Sequence, residues 1–225
     1  MENLRKRAAR SLLFLFLAVA ALLFLPAWTV YYWQAWVYLI VFFSASVLTT
    51  AYLLKHDPAL LKRRLSGGPV AEKEKTQKII MLFASIAFTA LLAVPALDRR
   101  FGWSAPPSYV AIGGDVLVAI GFYIIFLVYK ENTFTSATIE IAEDHKVIST
   151  GPYALVRHPM YAGAFLYLLG TPLALGSYCG LLALAAMTIF LIWRLFDEEE
   201  FLAKNLPGYS EYRSKVRFRL LPFVW

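Results

Sequence analysis

Residues 160–196 read MYAGAFLYLLGTPLALGSYCGLLALAAMTIFLIWRLF and carry no charge before Arg194. A turn signal, Gly176-Ser177, lies near the middle of this apolar stretch. At about 1.5 Å per residue, each half is just long enough to cross a hydrocarbon core of roughly 30 Å. The stretch therefore predicts two membrane spans that form a helical hairpin.

Four more apolar blocks precede this hairpin, and they cover Ser11–Tyr31, Gln34–Leu54, Ile79–Leu97 and Ser108–Tyr129. Apolar residues make up 60% of the chain and charged residues only 16%, against about 45–50% and about 25% in ordinary globular domains. The single cysteine excludes an internal disulfide framework and a multi-thiolate zinc site. We predict an all-α fold, a polytopic membrane bundle of about six spans with a short helical segment after the last one.

Lysine and arginine are distributed unevenly among the predicted loops. If the N-terminus is cytoplasmic, all but two of the 22 basic residues fall on the cytoplasmic side, and only Arg99 and Arg100 lie outside. The positive-inside rule describes this bias, which predicts that both termini are cytoplasmic. The net charge of +7 then faces anionic headgroups rather than nucleic acid. The predicted location is a multi-pass integral membrane protein, in the inner membrane if the source is bacterial, with its site facing the cytoplasm.

Two polar segments on the predicted cytoplasmic side are dense in functional groups. One is Glu131–Tyr161, with the sequence GPYALVRHPMYAG at its end, and the other is Arg194–Trp225. In an antiparallel hairpin the start of the fifth span lies beside the end of the sixth. The topology therefore predicts that His158 faces the same pocket as Glu198 and Glu199.

The dipeptide His158-Pro159 marks the start of a helix. A residue before proline is disfavoured in the helical region, and proline fits the first helical turn. The unpaired N–H groups behind this start offer an anion a binding site, to which Arg157 adds charge, Tyr161 an aromatic face and Gly163 room for close approach. The alternative is that Arg157 is a membrane-surface anchor and His158 only a capping residue.

Four consecutive acids, Asp197–Glu200, end the sixth predicted span. A helix C-terminus disfavours negative charge, which suggests that some of these carboxylates bind a ligand. A ribose diol or an ammonium group suits them. The alternative is a solvated cluster that pairs with Arg194 or Lys204.

Other candidates for chemistry are weaker. Asp115 lies inside the fourth span, where an ionisable residue is by default a functional hypothesis, but helix packing or snorkelling near the outer end is favoured there. No two histidines have the spacing of metal ligands, so no metal site is predicted. The G-x-G-x-x-G fingerprint of soluble dinucleotide-binding folds is absent from the sequence.

The sequence GPYALVRHPMYAG is followed about thirty residues later by a Glu-Glu pair and then by GYSEYRSKVRFRLLP. This combination resembles the isoprenylcysteine carboxyl methyltransferase family of integral membrane enzymes, and the related phospholipid N-methyltransferases share the general pattern. The resemblance covers Glu131–Trp225. It implies a cofactor-binding methyltransferase region over 131–225, preceded by a four-span bundle over 1–130.

The resemblance further implies that S-adenosylmethionine binds between the last two spans and the C-terminal segment. The family's cofactor motif falls on Arg157, His158, Pro159, Tyr161, Gly163, Glu198 and Glu199. The resemblance also implies cofactor contacts for Tyr153 in the stretch that leads into the motif, for Asn132, which resembles a recurrent asparagine after the preceding span, and for Tyr209 and Tyr212 in the tail. Gly151 and Pro152 match the stretch that leads into the motif, and Arg219 matches the tail that covers the cofactor in the family.

Methyl transfer from a sulfonium needs no metal, and positioning of the two reactants supplies most of the rate. A carboxylate acceptor needs a cation to hold it, for which Arg194 is the candidate. An amine acceptor needs a base, for which His158 or an acid such as Glu199 is the candidate. The favoured acceptor is a lipophilic carboxylate of the prenylcysteine type. The alternatives are a phospholipid or other lipophilic amine and, without catalysis, a transporter or structural module, although the polar groups at one face argue against transport.

Overall fold

The computed structural model describes residues 2–66, 74–138 and 146–225, and within these ranges every regular element is a helix. The helices are α1 (Glu2–Ala27), α2 (Trp33–His56), α3 (Pro58–Arg64), α4 (Lys75–Phe101), α5 (Ser108–Glu131), α6 (Pro159–Ala174), α7 (Gly180–Asn205) and α8 (Tyr209–Lys215). A single turn of 3-10 helix, Gly151–Ala154, precedes α6. The prediction of an all-α bundle with a short C-terminal helix is confirmed.

Five of the described helices, α1, α2, α4, α5 and α7, are long and apolar enough to cross a membrane. The protein is therefore a multi-pass membrane protein. Helix α6 has 16 residues, or about 24 Å, so the first half of the predicted hairpin is shorter than the sequence analysis expects. It ends at Ala174 because the chain turns at Gly176, which adopts a left-handed φ of 68° and donates its N–H to the Leu173 carbonyl at 2.8 Å.

Helix α6 packs mainly along α5, whereas α7 packs mainly along α4. Glycines make the first contact possible: a Cβ at Gly114 would lie 2.1 Å from the backbone nitrogen of Ala174, and one at Gly163 would lie 2.8 Å from the Gly121 carbonyl oxygen. Small residues let two membrane helices approach this closely. Helices α4 and α5 therefore support the two arms of the hairpin from either side.

At the opposite end of the bundle, a buried carboxylate joins α4 to the turn between α6 and α7. Asp98 is 1% exposed and accepts hydrogen bonds from Ser104 through both its N–H (2.7 Å) and its hydroxyl (2.5 Å). The Ser177 hydroxyl donates to the same carboxylate at 2.5 Å. These bonds satisfy a buried charge with neutral donors and fix the turn.

Helix α3 lies at the polar end of the bundle and is tied to the chain that follows α5. Asp57 caps it by accepting the N–H of Leu60 at 2.9 Å. The Thr133 hydroxyl donates to the other oxygen of Asp57, and Arg63 donates to the Thr133 carbonyl. These contacts hold the end of α3, and with it Arg64, beside residues 132–138.

Asp115 is buried inside α5, as its place in the sequence predicts. It is 6% exposed, and neither of its carboxylate oxygens has a hydrogen-bond partner among the described residues.

Candidate active site

The start of α6 and the end of α7 meet at one buried carboxylate. His158 occupies the N-cap of α6 and Pro159 its first turn, as the dipeptide predicts. Glu199 Oε1 accepts from Arg157 Nε at 2.7 Å and lies 3.1 Å from His158 Nε2. All three side chains are at most 7% exposed. The hairpin thus brings His158 into contact with Glu199, as the topology predicts. The expectation that Glu199 also faces the pocket is not met, because Glu199 is not among the residues that line it.

The C-terminal segment is attached to the same carboxylate. The backbone N–H groups of Arg157 and His158 donate to the carbonyls of Phe218 (2.9 Å) and Arg219 (3.0 Å). The Nε of Arg219 donates to the second oxygen of Glu199 at 3.1 Å. Because a buried carboxylate needs several donors and a compensating charge, Glu199 joins three segments that are distant in sequence.

Two further contacts fix this segment. The guanidinium of Arg219 lies over the rings of Phe196 and Trp225, 5.1 and 5.5 Å from their centroids. Arg157 Nη1 donates to the Val216 carbonyl at 3.1 Å. The segment from Val216 to Trp225 therefore closes one side of the space between α6 and α7.

Glu198 points in a different direction from Glu199. Successive residues of an α-helix are rotated by about 100°, since there are 3.6 residues per turn. Glu198 accepts the Tyr161 hydroxyl at 2.5 Å and faces a cavity, whereas Glu199 lies behind the wall of that cavity. The two acids of the pair thus have different surroundings.

The cavity has a volume of about 850 Å³ and two chemically distinct parts. Its polar end lies among the loops at one end of the bundle, and its lining includes Arg64, Asn132, Tyr153, Arg157, His158, Tyr161, Arg194, Glu198, Tyr209 and Tyr212. Its apolar arm runs between the middles of the long helices, and its lining includes Phe14, Leu15, Ala18, Phe88, Met187, Phe190 and Leu191. One cavity therefore joins a polar site to the apolar interior of the bundle.

Four polar side chains from three parts of the chain line the polar end. Asn132 Nδ2 donates to the Tyr153 hydroxyl at 2.9 Å, and the Tyr212 hydroxyl donates to the Tyr153 carbonyl at 2.8 Å. The Tyr209 hydroxyl is buried and has no hydrogen-bond partner among the described residues. Burial raises the pKa of Tyr153, Tyr209 and Tyr212, so all three phenols remain protonated donors at neutral pH.

Arg194 reaches the cavity from α7 and is held from behind by α4. Its Nη1 donates to Gln77 Oε1 at 2.8 Å, and its Nη2 donates to the Ala137 carbonyl at 3.2 Å. Gln77 is 1% exposed and donates its amide N–H to Asp197. The orientation of the Arg194 guanidinium therefore depends on a residue more than a hundred positions earlier in the chain.

The residues that the sequence nominated separate into two groups. The ones that line the cavity are Asn132, Tyr153, Arg157, His158, Pro159, Tyr161, Arg194, Glu198, Tyr209 and Tyr212. Two are not among the lining residues: Glu199 contacts the side chains of Arg157, His158 and Arg219, and the room at Gly163 is filled by α5. Among the described residues, no group of three His, Cys, Asp or Glu side chains is placed to hold a metal ion.

Sequence reasoning missed Arg64, Gln77 and the contributions of α1 and α4 to the cavity. Arg64 stands in a loop rich in lysine and arginine, where the positive-inside bias explains every basic residue equally well. Gln77 is an amide at the charged start of a span, and only its burial distinguishes it. The cavity is therefore built from both of the predicted regions, 1–130 and 131–225.

Comparison with known proteins identifies the class of this membrane protein. A family model described as "Phospholipid methyltransferase" matches residues 109–207, which contain α6, α7 and most of the polar end of the cavity. Together with the multi-pass bundle and its two-part cavity, this match indicates an integral membrane methyltransferase.

Relatives define the family more closely. A rice protein (Oryza sativa subsp. indica) named "Probable protein-S-isoprenylcysteine O-methyltransferase" is 33% identical over 160 residues, which cover 67% of this chain and 78% of the relative. "Protein-S-isoprenylcysteine O-methyltransferase" of Saccharomyces cerevisiae is 30% identical over 135 residues, 56% of this chain and 54% of the relative. The protein of the same name from Schizosaccharomyces pombe is 35% identical over 80 residues, 33% of this chain and 32% of the relative. This chain belongs to the isoprenylcysteine O-methyltransferase family, as its motif predicts.

Proposed function

We propose that this methyltransferase transfers the methyl group of S-adenosylmethionine to the carboxylate of a lipophilic acceptor of the prenylcysteine type, at the cytoplasmic surface of the membrane. The observation that carries the proposal is the two-part cavity, in which a polar site and an apolar arm are continuous. A water-soluble donor and a lipid-embedded acceptor need such a shared space. The names of the relatives support the choice of acceptor.

The polar end fits S-adenosylmethionine. The Tyr209 hydroxyl is buried and makes no hydrogen bond to any residue that the structure describes, so it can donate to a ligand. The Glu198 carboxylate, already held by Tyr161, suits a ribose diol or an ammonium group. Pro159 and Met160 place the start of α6 on the cavity wall, where helix N–H groups favour an anion. Bound here, the cofactor would supply an electrophilic methyl group on a sulfonium.

Glu199 is the residue that we propose positions this site. It pairs with two arginines and a histidine, so it holds the start of α6, the end of α7 and the C-terminal segment at fixed separations. His158 is thereby oriented by a carboxylate on one side of its ring. The resemblance nominated Glu199 as a direct ligand or catalytic residue, and its contacts favour this supporting role.

Arg194 is the residue that we propose holds the acceptor carboxylate. It lines the cavity, and Gln77 and the Ala137 carbonyl hold its guanidinium on the far side. A carboxylate already carries the electron pair that attacks the methyl group, so no general base is required. The chain therefore contributes orientation and exclusion of water, which alone supply large rate factors.

The apolar arm supports a lipophilic acceptor that enters from the bilayer. Phe14 and Ser85 line the cavity and are also exposed on the outer surface of α1 and α4. The cavity thus reaches the membrane-facing surface between these two helices. The polar end lies at the end of the bundle where the basic residues concentrate, so the positive-inside rule supports a cytoplasmic site.

The experiment combines ligand-induced stabilisation with product identification in detergent or liposomes. S-adenosylhomocysteine should raise the melting temperature of the wild-type protein, and Glu198→Gln should weaken its binding by about tenfold or more, as expected for a lost charged hydrogen bond. Glu200→Gln is the matched control, because Glu200 is exposed on the same helix and pairs only with Lys204.

Labelled S-adenosylmethionine is then offered together with N-acetyl-S-farnesylcysteine and phosphatidylethanolamine. Base-labile label in the farnesylcysteine is the expected result. Label in the phospholipid alone would show that the acceptor is an amine, and the proposed carboxylate acceptor would be wrong. Absence of any stabilisation by S-adenosylhomocysteine would overturn the proposed cofactor.

A further inference from the structure

Arg64, which the motif does not include, reaches the cavity from the end of α3. Its Nη1 donates to the Ser136 carbonyl at 2.6 Å and lies 4.0 Å from the sulfur of Met160. Its guanidinium lies over the ring of Tyr129, 5.4 Å from the centroid. Arg64 is therefore a held, half-buried cation and not a mobile surface anchor.

The hydrogen bonds that the structure describes for Arg64 use only one nitrogen of its guanidinium, Nη1. In the part of the chain that the structure describes, its Nε and Nη2 donate no hydrogen bond and no carboxylate pairs with Arg64. Other cavity arginines differ in this respect: Arg157 pairs with Glu199. A half-buried cation without a counter-charge is costly unless a ligand supplies the anion.

The guanidinium groups of Arg64 and Arg194 converge on one short piece of the cavity wall. Arg64 donates to the carbonyl of Ser136, and Arg194 donates to the carbonyl of Ala137. The Cα atoms of consecutive residues are only about 3.8 Å apart. Two arginines from α3 and α7 are thus bonded to consecutive residues of one segment, and both line the same cavity.

We infer that Arg64 is the second half of an arginine clamp that grips the carboxylate of the methyl acceptor together with Arg194. This inference rests on the proposed function. Guanidinium groups bind carboxylates in a fixed, bidentate geometry, and two of them select an anionic acceptor over an amide, an ester or an amine. Arg64 determines acceptor specificity by touching the substrate.

The neighbours of Arg64 favour the acceptor over the cofactor as its ligand. Besides Tyr129, the Tyr167 hydroxyl lies within electrostatic range of Arg64, and Tyr167 lines the cavity two helical turns into α6. Arg64 therefore stands where the polar end passes into the apolar arm. An acceptor whose lipid chain fills that arm presents its carboxylate at this boundary.

The test compares N-acetyl-S-farnesylcysteine with its carboxamide, which has the same lipid chain without the charge. Binding of each is measured by thermal shift and by inhibition of methylation, in wild-type protein, Arg64→Met, Arg64→Lys and Lys62→Met. Lys62 is the matched control, because it is exposed on α3, loses the same charge and does not line the cavity.

The clamp predicts that Arg64→Met raises the acceptor KM by about tenfold or more and removes most of the preference for carboxylate over carboxamide. Arg64→Lys should retain part of this preference, and binding of S-adenosylhomocysteine should change less than about twofold in each variant. Lys62→Met should behave as wild type.

Unchanged acceptor KM and preference in Arg64→Met would overturn the clamp while leaving the proposed function intact. Loss of S-adenosylhomocysteine binding at unchanged acceptor preference would also overturn it, since Arg64 would then hold the cofactor. If the wild-type protein binds neither the carboxylate nor the carboxamide, the proposed acceptor itself is wrong and the clamp is rejected with it.

Discussion

The two ends of the bundle each contain a buried carboxylate that joins distant segments, but they satisfy its charge differently. Asp98 accepts from the backbone and hydroxyl of Ser104 and from the hydroxyl of Ser177, all neutral donors. Glu199 accepts from two arginines and contacts His158. Neither acid lines the 850 Å³ cavity, yet two of the residues that hold Glu199, Arg157 and His158, do.

Because of this difference, we expect the Asp98 end of the bundle to contribute to stability alone and the Glu199 end to contribute to both stability and function. Neutral donors fix the turn between α6 and α7 without leaving charge for a ligand. At the other end, Arg157 and His158 contact Glu199 and also line the cavity, so the same contacts that fold the protein orient its site. Substitutions at the Glu199 end should therefore alter both properties, and those at the Asp98 end only one.

The largest expected effect is that of Glu199→Gln. Removing the charge leaves Arg157 and the half-buried Arg219 without their partner, and breaking a buried pair typically costs about 3–5 kcal/mol. The melting temperature should fall by about 10 °C, and both stabilisation by S-adenosylhomocysteine and methylation should be lost. Differential scanning fluorimetry and a labelled-methyl assay measure the two effects.

Glu199→Asp, which keeps the charge on a shorter side chain, should recover part of both properties. A Glu199→Gln protein that melts like wild type but no longer binds S-adenosylhomocysteine would contradict the claim that Glu199 acts by holding the fold together. It would show that Glu199 contacts the cofactor directly, as the family resemblance predicts.

Asp98→Asn tests the other end and should affect stability alone. The amide is neutral and can accept through only one of its two terminal atoms. All three donors therefore lose a charged acceptor and at least one loses its acceptor altogether, at about 1.5–3 kcal/mol. The melting temperature should fall by several degrees, while the acceptor KM and the affinity for S-adenosylhomocysteine remain those of wild type.

The matched substitution Ser177→Ala removes one donor and should give a smaller fall in melting temperature. A change in acceptor KM of more than about threefold in either variant would mean that the two ends are coupled through α4. The separation of stability from function would then be wrong.

Much of this organisation could be predicted from the sequence, because the physics that determines it is local. The lengths of the apolar blocks predict the membrane spans, and the His158-Pro159 dipeptide predicts the start of α6. Antiparallel geometry alone then brought His158 beside the acidic pair. The expectation that both acids face one pocket is wrong for Glu199, because the helical repeat turns neighbouring residues apart and only Glu198 lines the cavity.

The parts that could not be predicted depend on contacts between helices that are distant in sequence. The role of Gly163 in contacting α5 rather than a ligand, and the support of Arg194 by Gln77, both need the packing order of the helices. Arg64 illustrates the same limit, since its charge is indistinguishable from those of its neighbours until α3 is attached beside residues 132–138. The turn at Gly176 is the one that the sequence predicts, and it leaves α6 only 16 residues long.

The smallest expected effect comes from a pair of tyrosines, one at each end. Tyr32 donates its hydroxyl to the Leu175 carbonyl at 2.5 Å, whereas the buried Tyr209 hydroxyl has no partner among the described residues. Tyr32→Phe should therefore lower the melting temperature, because an unmade buried hydrogen bond costs about 1–3 kcal/mol. Tyr209→Phe should keep or raise it.

The same pair should respond in the opposite order to ligand. If the Tyr209 hydroxyl donates a hydrogen bond to the bound cofactor, Tyr209→Phe weakens S-adenosylhomocysteine binding by about three- to tenfold, the range for one neutral hydrogen bond. Tyr32→Phe should leave that affinity unchanged, because Tyr32 lies at the far end and does not line the cavity. Isothermal titration of both variants measures this. If Tyr209→Phe binds S-adenosylhomocysteine with wild-type affinity, the Tyr209 hydroxyl does not contact the cofactor. The assignment of this hydroxyl as a ligand donor would then be wrong.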